Sequence, residues 1–127
     1  MLSQQSKYAL RAMIYLSEQP AETYVKVDDI ASKTDLPSPY LSKIIKQLAL
    51  KQIIVSRRGK NGGVQLNRLN PELTFFDICR AVADPIVQSE CVLFKRPCDK
   101  KAPCPFHNKW SKTKSRLIEF LHATSLV

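Results

Sequence analysis

Apolar residues recur at helical spacing through the first fifty positions of the chain. Tyr8, Ala9, Ala12, Tyr15 and Leu16 mark one face at i, i+3/i+4 and i+7/i+8, which predicts a helix over residues 6–18. Leu10, Met13 and Ile14 widen that apolar surface, so more than one side of this helix should be covered. Gln19-Pro20 ends it. A short second helix is predicted over 27–34, with Val27, Ile30 and Ala31 on its buried side. A turn from Thr34 to Ser38, containing Pro37, leads to the clearest helix start in the chain, with Ser38 as N-cap and Pro39 at the first helical position. This third helix should run to about Leu50, with Leu41, Ile44, Ile45 and Leu48 inward and Tyr40, Lys43, Lys46 and Gln47 outward.

The pattern then changes. The helix breaks at Lys51-Gln52, IIVSRR reads as a β-branched strand, RRGKNGG as a glycine-rich turn, and VQL as a second strand with apolar/polar alternation. The order is helix, turn, helix, wing. After Asn70-Pro71 a helix is predicted over 74–83, capped by Thr74 and stopped by Asp84-Pro85. Residues 85–103 contain three prolines and little periodicity, and read as a loop. A last helix is predicted from near Pro105 to about Ala123, where Phe106, Trp110, Thr113, Leu117 and Phe120 form a short heptad seam. The fold class is mainly α with a small β-hairpin wing. Residues 1–84 form a winged helix-turn-helix domain, 85–104 a loop and 105–127 a long C-terminal helix.

Composition narrows the function. A chain of 127 residues is one domain, or one domain with a small appended element, and buries a core without disulfides. No apolar run approaches 18 residues, which excludes a transmembrane helix. The apolar N-terminal stretch is broken by Lys7, Arg11 and Glu18 and lacks a cleavage site, so it reads as a helix rather than a leader, with a cytoplasmic location as the default and no membrane partner. The net charge of +9 favours a polyanionic partner, nucleic acid first.

A helix-turn-helix lays its second helix in the major groove of double-stranded DNA, with its N-terminal residues on base edges. Here that end presents Ser38, Pro39, Tyr40, Ser42 and Lys43. Tyr40 can bond a phosphate or stack on a sugar edge, and Lys43 can reach phosphate or guanine O6/N7. The wing tip offers Arg58, Lys60 and Asn61, and an arginine there suits the negative potential of a narrow minor groove. Lys7, Arg11, Lys46 and Arg57 would add phosphate contacts. A solvated basic helix and a plain hairpin would share parts of this pattern; helix, wing and charge together favour DNA.

Cys91, Cys98, Cys104 and His107 lie within seventeen residues, in CVLFKRPCDKKAPCPFH. In a reducing compartment such a cluster points to thiolate ligation of a metal or iron–sulfur group rather than to disulfides. Zinc accepts the same donor set, but the tight C-x₂-C pairs of its structural sites are missing. A metal-free loop with reactive thiols is a further alternative. Cys79 sits with Phe75, Ile78 and Val82 at helical spacing and reads as a core residue. His122 has no companion donors and should face solvent. Nothing indicates an enzyme: there is no C-x₂-C redox pair or nucleophile–base arrangement, and RGKNGG lacks the Lys-Ser/Thr of a phosphate loop.

SKYALRAMIYLS, DDIASKTDLPSPYLSKIIKQLALKQIIVSRRGKNGGVQL and the loop ending in CPFH resemble the iron–sulfur cluster regulator (IscR- and NsrR-like) family of bacterial winged-helix transcription factors, over nearly the whole chain. The resemblance implies a repressor that forms a homodimer through the seam of the C-terminal helix and binds a palindromic operator. It implies that Tyr40 is the family's recognition-helix tyrosine and Arg58 its minor-groove arginine. It also implies a cluster on Cys91, Cys98 and Cys104, with His107 as the fourth ligand of the [2Fe–2S] branch. The alternative within the family is a [4Fe–4S] nitric-oxide sensor with its fourth ligand elsewhere. Two departures stand out. The first cysteine gap has six intervening residues where the commoner pattern, and the second gap here, have five. Ser42 stands where founding members carry a glutamate that gates sequence choice.

Overall fold

A computed structural model describes residues 2–88 and 105–126; Cys91, Cys98 and Cys104 lie outside the described residues. The helices are α1 (Gln4–Ser17), α2 (Val27–Thr34), α3 (Ser38–Leu50), α4 (Phe75–Ala81) and α5 (His107–Ala123), with strands β1 (Ile54–Arg57) and β2 (Gly63–Leu66) between α3 and α4. The strands pair antiparallel, Ile54 opposite Leu66 and Arg57 opposite Gly63. Val25 extends this hairpin through two backbone bonds of 2.8 Å with Val64.

The broad apolar surface of α1 makes it the central helix, packed against α2, α3, α4 and β2. Ala9, Ala12 and Met13 have no exposed surface, and small side chains at two of these positions let neighbouring helices approach closely. The inward positions expected on α3, namely Leu41, Ile44, Ile45 and Leu48, are all buried. They meet Leu16 of α1, Ile30 of α2, Ile54 of β1 and Ile78 of α4 in one apolar cluster.

Local chemistry sets the helix ends. α2 carries Asp28 and Asp29 in its first turn and Lys33 in its last, which complements the helix dipole, and it ends on left-handed Asp35. α3 differs from expectation by one residue. Its N-cap is Pro37, not Ser38, because the Pro37 carbonyl already accepts the Leu41 N–H at 2.9 Å. Ser38 is thus the first helical residue, and its hydroxyl donates outward to Asp28 Oδ1 at 2.7 Å. α4 has the expected Thr74 cap, completed by Asp77 in a reciprocal capping box. It ends before residue 83, and Pro85–Gln88 form a 3₁₀ turn where the pattern predicted only loop.

α5 begins at His107 with Phe106 as N-cap, and Leu121 is its one buried residue among those described. Its C-terminal end is fastened to α4 by Phe75 N–H on Thr124 O (3.0 Å) and Leu126 N–H on Leu73 O (2.9 Å). His122 is exposed as expected, though its ring stacks on Phe76 with centroids 3.8 Å apart. Cys79 is fully buried, as expected of a core thiol. Among the described residues no helix is long and apolar enough to cross a membrane.

Candidate nucleic-acid interface and cysteine loop

The outer face of α3 is built on α1. Tyr40 is 40% exposed, and its ring meets that of Tyr8 edge-on with centroids 5.3 Å apart. About two turns further along α3, the Gln5 side-chain amide donates to Gln47 Oε1. Tyr8 reads as an inward position by periodicity, yet it is only half-buried and supports the candidate reading residue. Period alone carries no signal for that role. Pro39, Lys43 and Lys46 are exposed on the same helix. Ser42 donates to the Ser38 carbonyl at 3.1 Å, so its proton is held by its own helix while its lone pairs remain free to accept.

The wing places Arg58, Lys60 and Asn61 at an exposed tip. Two glycines make its root possible. A Cβ on Gly62 would sit 2.1 Å from the Arg57 carbonyl oxygen. Gly63 has φ +144°, and a Cβ there would lie 2.4 Å from the Val25 carbonyl. Lys26 Nζ donates to Gly59 O at 2.9 Å, tying the tip to the entry of α2, a role the sequence pattern did not suggest. The Arg57 guanidinium lies 5.7 Å from the centre of the Tyr24 ring, a cation–π contact that steadies the strand beneath the tip. Arg11 donates to the Thr34 carbonyl and so serves the end of α2. Lys43, Lys46, Arg58 and Lys60 have no carboxylate partner among the described residues, which leaves their charge available to a polyanion.

Of the candidate ligands, only His107 is described. It is half-buried as the first residue of α5 and makes no hydrogen bond to a described residue. The described residues alone contain no group of three or more His, Cys, Asp or Glu placed to hold a metal. The donor set nevertheless suits an iron–sulfur group in its chemistry: three thiols precede in sequence an imidazole at the N-terminus of α5, whose first turn has no acidic residue, and thiolate-bound clusters are anionic.

The seam expected on α5 divides in two. Leu117 packs against the chain's own core. Phe106 and Phe120 are 58% and 50% exposed, Phe120 also meeting Phe75 edge-on at 6.2 Å. Thr113 is exposed, and Trp110 is half-buried with an indole N–H that is shielded from solvent and has no acceptor among the described residues.

The chain matches the Rrf2 family, described as iron-dependent transcriptional regulators, over residues 2–127. It is 31% identical over 122 residues to an Aquifex aeolicus (strain VF5) protein described as an HTH-type transcriptional regulator, covering 94% of this chain and 84% of that protein. It is similar to the structure of CymR, the global cysteine regulator of B. subtilis, with TM-score 0.79 at 25% identity over 99% of this chain and 92% of that one. T. potens IscR gives TM-score 0.74 at 25% identity over 99% and 82%. The chain therefore belongs to the Rrf2 family: it is a winged-helix transcriptional regulator and not an enzyme.

Proposed function

We propose that this Rrf2-family chain is the subunit of a cytoplasmic homodimeric repressor whose affinity for a palindromic operator is set by an iron–sulfur cluster, of the [2Fe–2S] type, on Cys91, Cys98, Cys104 and His107. The reading is supported by cations on α3 and the wing that have no carboxylate partner among the described residues, and by a sulfur-rich donor set that precedes α5 in the sequence, the helix with exposed Phe106 and Phe120.

Residues 1–84 read DNA. Tyr40, Lys43 and Ser42 enter the major groove with Ser38 and Pro39 at the helix start; Arg58 enters the minor groove; Lys46, Arg57, Lys60 and Asn61 hold phosphates. Residues 105–127 supply the dimer seam through Phe106, Trp110, Thr113, Leu117 and Phe120. The exposed Phe106 and Phe120 rings support this, since a second subunit packed on them would remove their apolar surface from water. When bound, the cluster supplies a one-electron redox change and an anionic charge. The three cysteines must be thiolates and the His107 ring must present a free nitrogen to hold it.

Likeness to a global cysteine regulator supports a second reading, a cluster-free regulator that responds to a small thiol or to thiol oxidation. Iron and sulfide analysis with a visible spectrum of anaerobically purified protein separates the two. Coloured protein that loses its absorbance in the triple Cys91, Cys98, Cys104→Ala variant is expected. Undiminished iron in that variant overturns the ligand set. If the two redox states differ tenfold in operator affinity, DNA shifts the midpoint potential by about 59 mV. Equal affinity of apo and holo protein for DNA rejects cluster control. Arg58→Ala should weaken binding to the selected operator; an unchanged affinity and salt slope would contradict the wing assignment.

A further inference from the structure

Asp84 is the only fully buried charged residue among those described. Read along the chain it merely stops α4. In the structure its two oxygens face two parts of the fold. Oδ2 accepts the Ser3 N–H at 3.0 Å and the Ser6 hydroxyl at 2.5 Å, both at the start of α1. Oδ1 accepts the Ile86 N–H at 2.8 Å, inside the 3₁₀ turn after α4.

The arrangement completes an unfinished cap. Ser3 is the N-cap of α1 and accepts the Ser6 N–H at 3.1 Å, but α1 has no acidic residue in its first turn. In a capping box the third helical residue returns a carboxylate to the N-cap N–H, as Asp77 does for Thr74 in α4. Here Asp84 delivers that carboxylate from 81 residues away. Its charge lies at the positive end of the α1 dipole and accepts three hydrogen bonds, which compensates burial without a cation.

What this cap fixes is the register of α1 against α3. Ser3 and Tyr8 are about 7.5 Å apart along the helix axis, within one rigid segment. Tyr8 bears on Tyr40, and Gln5 on Gln47. We propose that Asp84 is a positioning residue for DNA reading: by capping α1 across the fold it sets the height of Tyr8 and thereby the pose of Tyr40. The inference rests on the reading that Tyr40 touches DNA.

The probe is a duplex enriched by the wild-type protein from a random-sequence pool, with its scrambled version as the non-specific control. Affinities are referred to active protein, counted by stoichiometric titration, at a temperature where circular dichroism shows each variant folded. Asp84→Asn keeps the shape but gives the Ile86 or the Ser3 N–H a donor to face. It should weaken the enriched duplex about fivefold, leave the scrambled duplex nearly unchanged, and have no further effect in a Tyr8→Leu background. Loss of fold alone lowers the active fraction and not this ratio. Should Asp84→Asn not fold, Ser6→Ala removes one donor while keeping the carboxylate, and about a twofold fall in the same ratio is expected. An unchanged specificity ratio, or effects of the cap and Tyr8 variants that simply multiply, overturns the proposal. If Tyr40→Ala leaves the ratio unchanged, the reading of α3 itself fails.

Discussion

Alkylation of the apo-protein at pH 8 should divide its four cysteines into three fast and one slow. Burial pushes the Cys79 thiol from its ordinary 9.0 up to about 11; the nearby Asp84 carboxylate adds to the rise and a hydrogen bond with Ser6 offsets part of it. At pH 8 an ordinary thiol is about one-tenth thiolate, whereas one at 11 is about one-thousandth, a roughly hundredfold loss of the reactive form. Cys79 also has no exposed surface, so reagent reaches it only when the fold opens.

The measurement is iodoacetamide labelling over time with peptide mass spectrometry. Cys79 labelling should follow unfolding and accelerate in urea. Labelling of Cys79 in the folded protein within tenfold of the slowest of the other three cysteines would refute the reasoning. The same shift couples to stability. The folded state holds this proton more tightly than the unfolded chain, so its contribution is complete below pH 9.0 and is lost as pH rises through about 11. Two units correspond to about 2.7 kcal/mol. The stability difference between wild type and Cys79→Ala should therefore shrink over that window. On the proposed cluster reading, Cys79→Ala should also keep as much iron as the wild type, because a protonated core thiol is no ligand.

Gly63→Ala should cost about 3 kcal/mol in urea unfolding, since the new methyl meets the Val25 carbonyl at a positive φ; a loss below about 0.5 kcal/mol would contradict the strain. Trp110→Asp should lower the sedimentation coefficient to that of a monomer at micromolar concentration while the helical circular dichroism is kept. A dimer that persists would remove Trp110 from the proposed seam.

Local signals and long-range partners explain what could be read from the chain. α2 falls where periodicity placed it, over 27–34, because apolar spacing, first-turn acids and the following turn agree. α4 starts where expected because its capping box is written in four consecutive residues, Thr74 to Asp77. α1 begins two residues before the expected start at residue 6, since its cap is completed by Asp84, and nothing near residue 3 announces that. Ser38-Pro39 matches a helix-start preference, yet the Pro37 carbonyl opens the helix one residue earlier. On the candidate DNA face, residue type and spacing marked Tyr40, Lys43, Arg58 and Lys60. The groups that hold this face, Tyr8, Gln5, Lys26 and Tyr24, were not marked, because their role depends on partners rather than period.

The two ends of α5 are held differently. Seventeen residues make a helix about 25 Å long. Its C-terminal end is fixed to α4 through Leu121, the Phe76–His122 stack and the strand-like bonds after Thr124. Over its first turns, from His107 to Arg116, no residue is buried. An amphipathic helix gains most of its stability from packing its apolar face rather than from propensity. Phe106 and Phe120 leave apolar surface exposed near the two ends of α5. On the proposed reading, the second subunit covers the face, and His107 is a ligand at the end of the helix farthest from its anchor. Ligation there acts with the longest available arm on the seam that spaces two copies of α3. A ligand near residue 120 would have almost no such arm.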